Sequence, residues 1–259
     1  MIGDINHIVV IESLIKERET GTELYNDIIS RHIDFRKSQM THNLHKVHSK
    51  EEFKKLLSEY HANSAHMSGG ILLHLEMHGN DQLTGLILSD GTLLTWEELV
   101  VLFRPININS CNNLYITLAT CNGRFLYKGV HPHDKSPYSC YISASETVSN
   151  TEIIEQFSIL FERLIANGNL VNAYLEMEEH GTKFYYKDSK ETFEEAFQVT
   201  AKHFMTDPDI KKEILEETKK QVEKQGLQMP PEHAYELIAR IALRKTYERH
   251  KKTFEFGCD

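Results

Sequence analysis

The sequence of 259 residues contains little cysteine and no long uncharged apolar run. Its four cysteines, Cys111, Cys121, Cys140 and Cys258, are scattered without a C-x-x-C pair, so we expect reduced thiols and no disulfide framework. No stretch approaches the roughly 18 apolar residues of a membrane-spanning helix. The N-terminal residues also lack the basic-then-apolar layout of a secretory signal. We therefore expect a cytoplasmic protein with no membrane partner.

The chain also has fewer basic than acidic residues. The chain has 29 basic and 38 acidic residues, a formal net charge of -9 and a pI near 5.9. A general nucleic-acid-binding protein normally presents a basic face, so we expect no nucleic-acid partner. The 40% hydrophobic content is sufficient for a core, either in one large domain or in one domain with a smaller appendage.

Histidine is abundant, with 15 residues and two local groups. His42, His45 and His48 form one group, and His131 and His133 form the other. Structural zinc usually recruits cysteine with histidine at tight spacing, and catalytic zinc often uses H-E-x-x-H on a helix. Neither pattern occurs, so we expect no metal and no other cofactor.

Strand-like and helix-like segments alternate along residues 6–178. This alternation predicts parallel strands joined by right-handed crossovers. Strands are predicted at 6–11, 71–77, 114–119 and 138–143, with an edge strand within 39–47 and a hairpin around Asp90-Gly91. Helices are predicted at 23–32 with Thr20 or Thr22 as cap, at 50–61, from 96 to near Pro105, from a cap at Asn150 to Gly168, and at 170–178.

The composition changes after Pro208. A strand at 182–187 and a helix at 193–204 precede it, whereas Lys and Glu dominate the following residues until breaks at 225–226 and 230–231. We predict a domain at 1–207 and a helical C-terminal extension at 208–259 that packs on the core or meets a partner. The last helix places these apolar residues in register: Ala234, Leu237, Ile238, Ile241 and Ala242.

Two predicted strands end in a reactive side chain followed by glycine. One ends at His78-Gly79 and the other at Cys121-Asn122-Gly123. Loops at the carboxyl ends of parallel strands gather reactive groups, and neighbouring strands lie about 4.8 Å apart. Cys121 could then act as a thiolate nucleophile with His78 as its proton-transfer partner. The amides of Gly79 and Cys121 could bind a developing oxyanion, and Gly123 could allow a sharp turn after the nucleophile.

The same residues resemble the caspase-like cysteine peptidases, most closely their compact prokaryotic and CHAT-type branch. The similar pattern is a strand ending in His78-Gly79, a glycine-containing hairpin, the Trp96-Glu97-Glu98-Leu99 helix start and a strand ending in Cys121-Asn122-Gly123, and it extends over residues 6–178. The resemblance implies an α/β three-layer sandwich with a mostly parallel sheet. It also implies a protein substrate whose peptide bonds are hydrolysed through an acyl-enzyme on Cys121, with His78 as the catalytic histidine.

The residues around the nucleophile depart from the animal caspase signature. Gln-Ala-Cys-x-Gly appears as Ala119-Thr120-Cys121-Asn122-Gly123, so aspartate specificity does not carry over. At the family's first specificity pocket this chain offers Thr117, Ser143, Ser145 and Glu146. A carboxylate from Glu146 would favour a basic residue before the scissile bond, whereas Arg124 or Lys128 would favour an acidic one. The loop at 131–134 is interpreted as a substrate-facing or activation loop.

Several members of the resembled family are effectors of bacterial defence, including antiviral defence, or of cell death. The resemblance therefore implies an activating protein or signal molecule as a further partner. A different class remains open, namely a catalytically silent caspase-like module that binds a partner or a signal. A Rossmann-like nucleotide enzyme is not favoured, because no G-x-G-x-x-G follows the first strand.

Overall fold

The computed structural model describes residues 3–14, 17–224 and 231–257. The predicted breaks at 225–226 and 230–231, and Cys258, lie wholly or partly outside these residues. Within the described ranges, no helix is both long enough and apolar enough to cross a membrane. The strands are β1 (Ile5–Glu12), β2 (Thr41–Lys46), β3 (Gly70–Glu76), β4 (His78–Gly79), β5 (Gly85–Ile87), β6 (Leu93–Thr95), β7 (Leu114–Ala119), β8 (Cys140–Ala144) and β9 (Phe184–Asp188).

Six of these strands form one mainly parallel sheet. Its order is β2-β1-β3-β7-β8-β9, and only the β8–β9 pair is antiparallel. Strands β4, β5 and β6 form a separate antiparallel sheet, which confirms the hairpin around Asp90-Gly91. The mostly parallel sheet and the edge position of β2 are as predicted. Parallel neighbours align their carboxyl ends, so the loops after β1, β3, β7 and β8 meet at one edge.

Helices cover both faces of the large sheet. A π-helix spans Leu24–Ser30 and a 3₁₀-helix spans Gly123–Gly129. The α-helices are α1 (Thr20–Glu23), α2 (Arg31–Arg36), α3 (Lys50–Ser64), α4 (Trp96–Asn109), α5 (Asn150–Asn167), α6 (Leu170–Glu179), α7 (Ser189–Thr206), α8 (Pro208–Lys224) and α9 (Pro231–Phe254).

Two apolar cores lie on opposite faces of the sheet. On one face, Phe53 of α3 and Phe103 of α4 are fully buried against side chains of β3 and β7. On the other face, Phe157 and Phe161 of α5 pack with α6 and with Ile142 of β8. Burying each large side chain stabilises the fold by about 1.5–3 kcal/mol. The result is the predicted three-layer α/β/α sandwich.

Helix α4 continues past the proline at which we expected it to stop. It runs to Asn109 with Pro105 inside it. Proline cannot donate to the carbonyl four residues earlier, here that of Val101. The Val101 side chain is exposed, so that side of the helix borders solvent, where water can hydrate the carbonyl. The expected end near Pro105 is therefore wrong.

The caps of two predicted helices also differ from expectation. Neither Thr20 nor Thr22 caps the first helical segment, which starts after Glu19 without a side-chain cap. The Thr20 hydroxyl instead donates to a buried carboxylate of β3, and the Thr22 hydroxyl donates to Glu12 at the end of β1. At α5 the cap is Ser149 in a capping box, one residue before the predicted Asn150.

The predicted apolar face of the last helix is not the face that packs. Leu237, Ile238 and Ile241 are each more than 40% exposed. Among the residues of α9 whose side chains the structure describes, 236–254, the buried ones are Ala239 and Phe254, and Phe254 is completely inaccessible; the predicted Ala234 lies outside them. The apolar register was misleading because small and aromatic residues on another face make the contacts.

The C-terminal end of α9 contacts the loop that follows the 3₁₀-helix. The Ser136 amide donates to the Phe254 carbonyl at 3.2 Å. The Lys135 ammonium lies 4.9 Å from the centre of the Phe256 ring, and the rings of His133 and His250 are 6.1 Å apart. This loop and the end of α9 therefore form one packed unit.

The expectation that the cysteines are reduced is wrong for one of them. Cys111 is disulfide-bonded, whereas Cys121 and Cys140 are free. Sequence spacing could not show this, because a disulfide requires two Cα atoms close in space and not at a particular separation along the chain. Cys140 is fully buried, and burial raises the pKa of its thiol far above the usual range.

Candidate active site

Strand pairing places His78 and Cys121 at the same edge of the large sheet. β3 and β7 are parallel neighbours, and Glu76 lies opposite Ala119 in their register. His78 and Cys121 each follow two residues beyond that pair. The two strands are neighbours, which is the condition for His78 and Cys121 to act together, and both reactive residues leave the sheet at equivalent positions.

Gly79 lies against the backbone of the cysteine. A Cβ atom at position 79 would come within 2.1 Å of the Cys121 carbonyl oxygen and 3.2 Å of Thr120 Oγ1. Real Cβ atoms do not approach a carbonyl oxygen this closely, so only glycine fits here. The segment that runs from β3 through His78 to Gly79, here called the histidine strand, is therefore in direct contact with the loop after β7 that carries Cys121, here called the cysteine loop.

The amide of Gly79 is not used by the small sheet. The Asn80 amide donates to the Gly85 carbonyl, and the next pair towards the start of β4 is Gly79 with Leu86. Because hydrogen-bonded and non-hydrogen-bonded pairs alternate in an antiparallel ladder, the Gly79 N–H points away from β5. It is therefore in a position to donate to another acceptor.

A sharp turn follows the cysteine, but a different residue from the predicted one makes it. Asn122 adopts the left-handed conformation with φ of 59°, which asparagine tolerates better than most residues. Gly123 packs closely instead, because a Cβ there would lie 3.0 Å from Ser143 Cβ, which is tighter than an ordinary contact. The Asn122 amide donates to the Glu146 carbonyl at 3.3 Å. The loop after β8 is thus tied to the cysteine loop.

The cysteine side chain is half-buried beneath the loop after β8. Cys121 Sγ lies 3.9 Å from the Val148 carbonyl oxygen and packs against the apolar core of the α5 face. In the part of the chain that the structure describes, no hydrogen bond joins Sγ to the His78 ring. Catalytic hydrogen bonds are often long or absent without substrate and form in the complex.

The histidine side chain has a partner that sequence reasoning missed. His78 Nε2 lies 2.8 Å from Glu17 Oε1, and the two side chains are 58% and 34% exposed. Glu17 belongs to the loop after β1, which is the neighbour of β3 in the sheet. The carboxyl ends of β1 and β3 meet at one edge, so an acid shortly after the first strand was the available signal.

A buried polar network lies beneath the histidine strand. His74 donates to or accepts from Thr117 Oγ1 at 2.8 Å and contacts Glu76 Oε1 at 2.9 Å. Thr20 Oγ1 donates to Glu76 Oε2 at 2.8 Å. Burial raises the pKa of Glu76, and the contact with His74 opposes that rise. Thr117 is fully buried in this network, so it is not available to a substrate.

The three predicted substrate-binding residues differ in burial and in their position relative to the cysteine loop. Ser143 is fully buried opposite Leu118, on the face of the sheet that does not carry Cys121. Ser145 is half-buried in the loop after β8. The Glu146 side chain is 60% exposed, and its carboxylate lies 3.6 Å from Lys183 Nζ. Glu146 is therefore near the cysteine loop, and the nearby Lys183 Nζ lies closer to Glu152, at 2.7 Å.

The basic residues considered for the same pocket flank one aromatic ring. Arg124 and Lys128 place their cationic groups 4.7 Å and 4.2 Å from the Phe125 ring centre. In the neighbouring loop, the rings of His131 and His133 are 5.6 Å apart. Among the described residues, no group of three or more metal-ligating side chains could hold a metal ion.

The fold is similar to that of a solved caspase structure. The chain is similar to the solved structure of the Drosophila initiator caspase Dronc, with a TM-score of 0.50 and 13% sequence identity over 73% of this chain and 82% of that chain. The fold is caspase-like. No protein-family model matches the sequence, and no curated protein sequence matches it. At this identity the similarity establishes the fold and not the activity.

The caspase-like fold confirms the predicted fold class. The prokaryotic or CHAT-type branch stays a prediction, as do the roles of His78, Gly79 and Cys121. Chemically, the site combines a half-buried thiol, an imidazole on the adjacent strand and an amide that is free of the sheet ladder. These are the groups that acyl transfer through a thioester requires.

Proposed function

We propose that this protein is a cysteine endopeptidase that hydrolyses peptide bonds with Cys121 as nucleophile and His78 as acid and base. The observation that carries the proposal is the pairing of β3 with β7, which brings both residues to equivalent positions at one sheet edge. The contact between Gly79 and the Cys121 backbone supports it, because it fixes the histidine strand against the cysteine loop.

The proposed reaction begins when His78 accepts the thiol proton and the Cys121 thiolate attacks the substrate carbonyl carbon. An S–C bond forms, and the amides of Gly79 and Cys121 stabilise the oxyanion. The C–N bond then breaks as the imidazolium gives its proton to the leaving amine. Water, deprotonated by His78, hydrolyses the thioester and releases the second product with the free thiol.

Paired lysate digests test the activity. A host lysate is treated with wild type, Cys121→Ala or His78→Ala, and the new protein N-termini are sequenced. We expect new termini with wild type alone, because each variant lacks one group of the dyad. Both variants should keep the wild-type melting temperature. If either variant cleaves at a rate near wild type, the assignment is wrong.

A silent caspase-like interaction or signal-binding module is the second candidate. It is favoured by one observation, that Cys121 Sγ contacts the Val148 carbonyl and, among described residues, not the His78 ring. Iodoacetamide distinguishes the two, because only a thiolate reacts rapidly. Buried Cys140 reacts slowly in either case, so the comparison is made at Cys121, which we expect to react much faster in wild type than in His78→Ala. Equally slow reaction of Cys121 in both proteins would favour the silent module.

The finer predictions remain part of this proposal. Glu146 is proposed to favour a basic residue before the scissile bond, and the cleavage sites from the lysate experiment would show whether it does. An activating protein or signal molecule and a role in bacterial defence or cell death are proposed from the family resemblance alone, and a cytoplasmic location is proposed from the sequence composition. The division into residues 1–207 and 208–259 also stays a proposal.

A further inference from the structure

We propose that Glu17 is the positioning residue of His78, so that the site is a triad of Cys121, His78 and Glu17. This inference rests on the proposed function and adds a residue to it. The direct evidence is the 2.8 Å contact between Glu17 Oε1 and His78 Nε2. The two residues come from neighbouring strands of the sheet, since one follows β1 and the other follows β3.

The contact determines which ring nitrogen carries the proton. A carboxylate at neutral pH has only acceptor atoms, so His78 Nε2 must be the donor. In the neutral ring, Nδ1 then carries the lone pair, and this nitrogen can accept the thiol proton. When it has done so, the carboxylate stabilises the resulting imidazolium through a charge-assisted hydrogen bond. Glu17 thus acts on the reaction through His78.

The loop that carries Glu17 is fixed at both ends by the histidine strand. Before Glu17, the Ser13 amide donates to the Glu76 carbonyl at 2.8 Å. After it, the Thr20 hydroxyl donates to the Glu76 carboxylate at 2.8 Å. Gly21 packs so closely that a Cβ there would lie 2.7 Å from Glu76 Cγ. Since Glu76 is two residues before His78, one buried residue holds the loop in register with the histidine.

The other charges that the structure describes in this loop have different partners. Glu19 Oε2 lies 2.6 Å from Lys46 Nζ, and Arg18 forms a 2.7 Å ion pair with Glu23. Glu19 is 44% exposed and Glu17 is 34% exposed, so the two acids are comparable in accessibility. Glu19 is therefore a matched control for the loss of one negative charge from the same loop.

The experiment measures iodoacetamide labelling of Cys121 from about pH 5 to about pH 9, the range in which histidine changes charge. Wild type is compared with Glu17→Gln, Glu17→Asp, the control Glu19→Gln, and His78→Ala. For Glu17→Gln we expect labelling near neutral pH to be about tenfold slower. This is the lower end of the effect expected from losing a charge-assisted hydrogen bond, because both side chains are partly solvated. The limb on which labelling rises with pH should move to higher pH, because an imidazolium without its carboxylate partner stabilises the Cys121 thiolate less.

Rescue by the shorter carboxylate separates positioning from simple loss of packing. Glu17→Asp should recover part of the labelling rate and move the rising limb of the profile back towards wild type. Glu19→Gln should leave rate and profile unchanged, and all variants should unfold at the wild-type temperature. If Glu17→Gln has the wild-type profile, or if Glu19→Gln shifts it equally, the inference is wrong.

The two possible failures are distinguishable. If His78→Ala slows labelling but Glu17→Gln does not, the dyad stands and only the role of Glu17 is refuted. If His78→Ala labels as fast as wild type at every pH, histidine does not act on the thiol. The proposed function and the triad are then both refuted.

Discussion

Replacing Gly79 by alanine tests whether the histidine strand and the cysteine loop are held in contact. The added Cβ would lie 2.1 Å from the Cys121 carbonyl oxygen, whereas an ordinary carbon–oxygen contact is about 3.3 Å. The strand or the loop must therefore move by about 1 Å. A displacement of this size at a catalytic centre costs about a hundredfold in rate. We expect peptide cleavage by Gly79→Ala to fall by that factor.

The same substitution should also lower stability. Overpacking costs about 1–3 kcal/mol, and each kcal/mol corresponds to about 2–4 °C in a domain of this size. We therefore expect the melting temperature, measured by circular dichroism, to fall by roughly 2–12 °C.

Gly91→Ala is the matched control. Gly91 has φ of 86°, and nothing lies within 4 Å of a Cβ placed there, so the change strains the backbone without displacing a neighbour. It should cost about 1–2 kcal/mol and leave cleavage at the wild-type rate. Wild-type cleavage and wild-type labelling of Cys121 in Gly79→Ala would refute the tight contact. Equal loss of cleavage in both variants would show that stability, and not the site, is being measured.

Two further predictions concern stability. Phe254 is fully buried, and its ring centre lies 5.3 Å from that of Phe193. Phe254→Ala should therefore lower the free energy of unfolding, measured in urea, by about 3–5 kcal/mol. A loss below about 1 kcal/mol would contradict the docking of α9. The ion pair with Lys183 lowers the pKa of Glu152 from its ordinary 4.5 to about 2. The ion pair therefore contributes its full stabilisation above pH 4.5, and this contribution is lost as the pH falls through about 2. The difference in melting temperature between wild type and Glu152→Gln should shrink over this interval, and a constant difference would contradict the linkage.

The central strands and the reactive pair could be predicted from sequence because their signals are local. Apolar runs define β3 and β7, and each run leads directly to its reactive residue. Alternation with helices predicts that such strands are parallel. Once they are parallel, the positions of His78 and Cys121 at one edge follow. The roles proposed for these residues still require the experiments above.

The remaining parts of the site depend on contacts between distant segments. Glu17 reaches His78 only because β1 is the neighbour of β3, and a single sequence does not give that adjacency. Thr20 resembles a helix cap in sequence, but a buried carboxylate is its actual acceptor. The turn predicted at Gly123 is made by Asn122. The sequence does not distinguish the two residues, because either can adopt positive φ; the packing of Gly123 against Ser143 does.

The contact between α9 and the loop around Ser136 has a consequence for the order of folding. The strands that align His78 with Cys121 all precede residue 145, and these contacts can form while the later helices are still being synthesised. Ser136 meets Phe254 only when the last helix docks, and contacts of such high sequence separation form slowly. We therefore expect the nascent chain to align its reactive residues early and to complete the loop behind the nucleophile late. We expect cleavage by a newly made chain only after that final step.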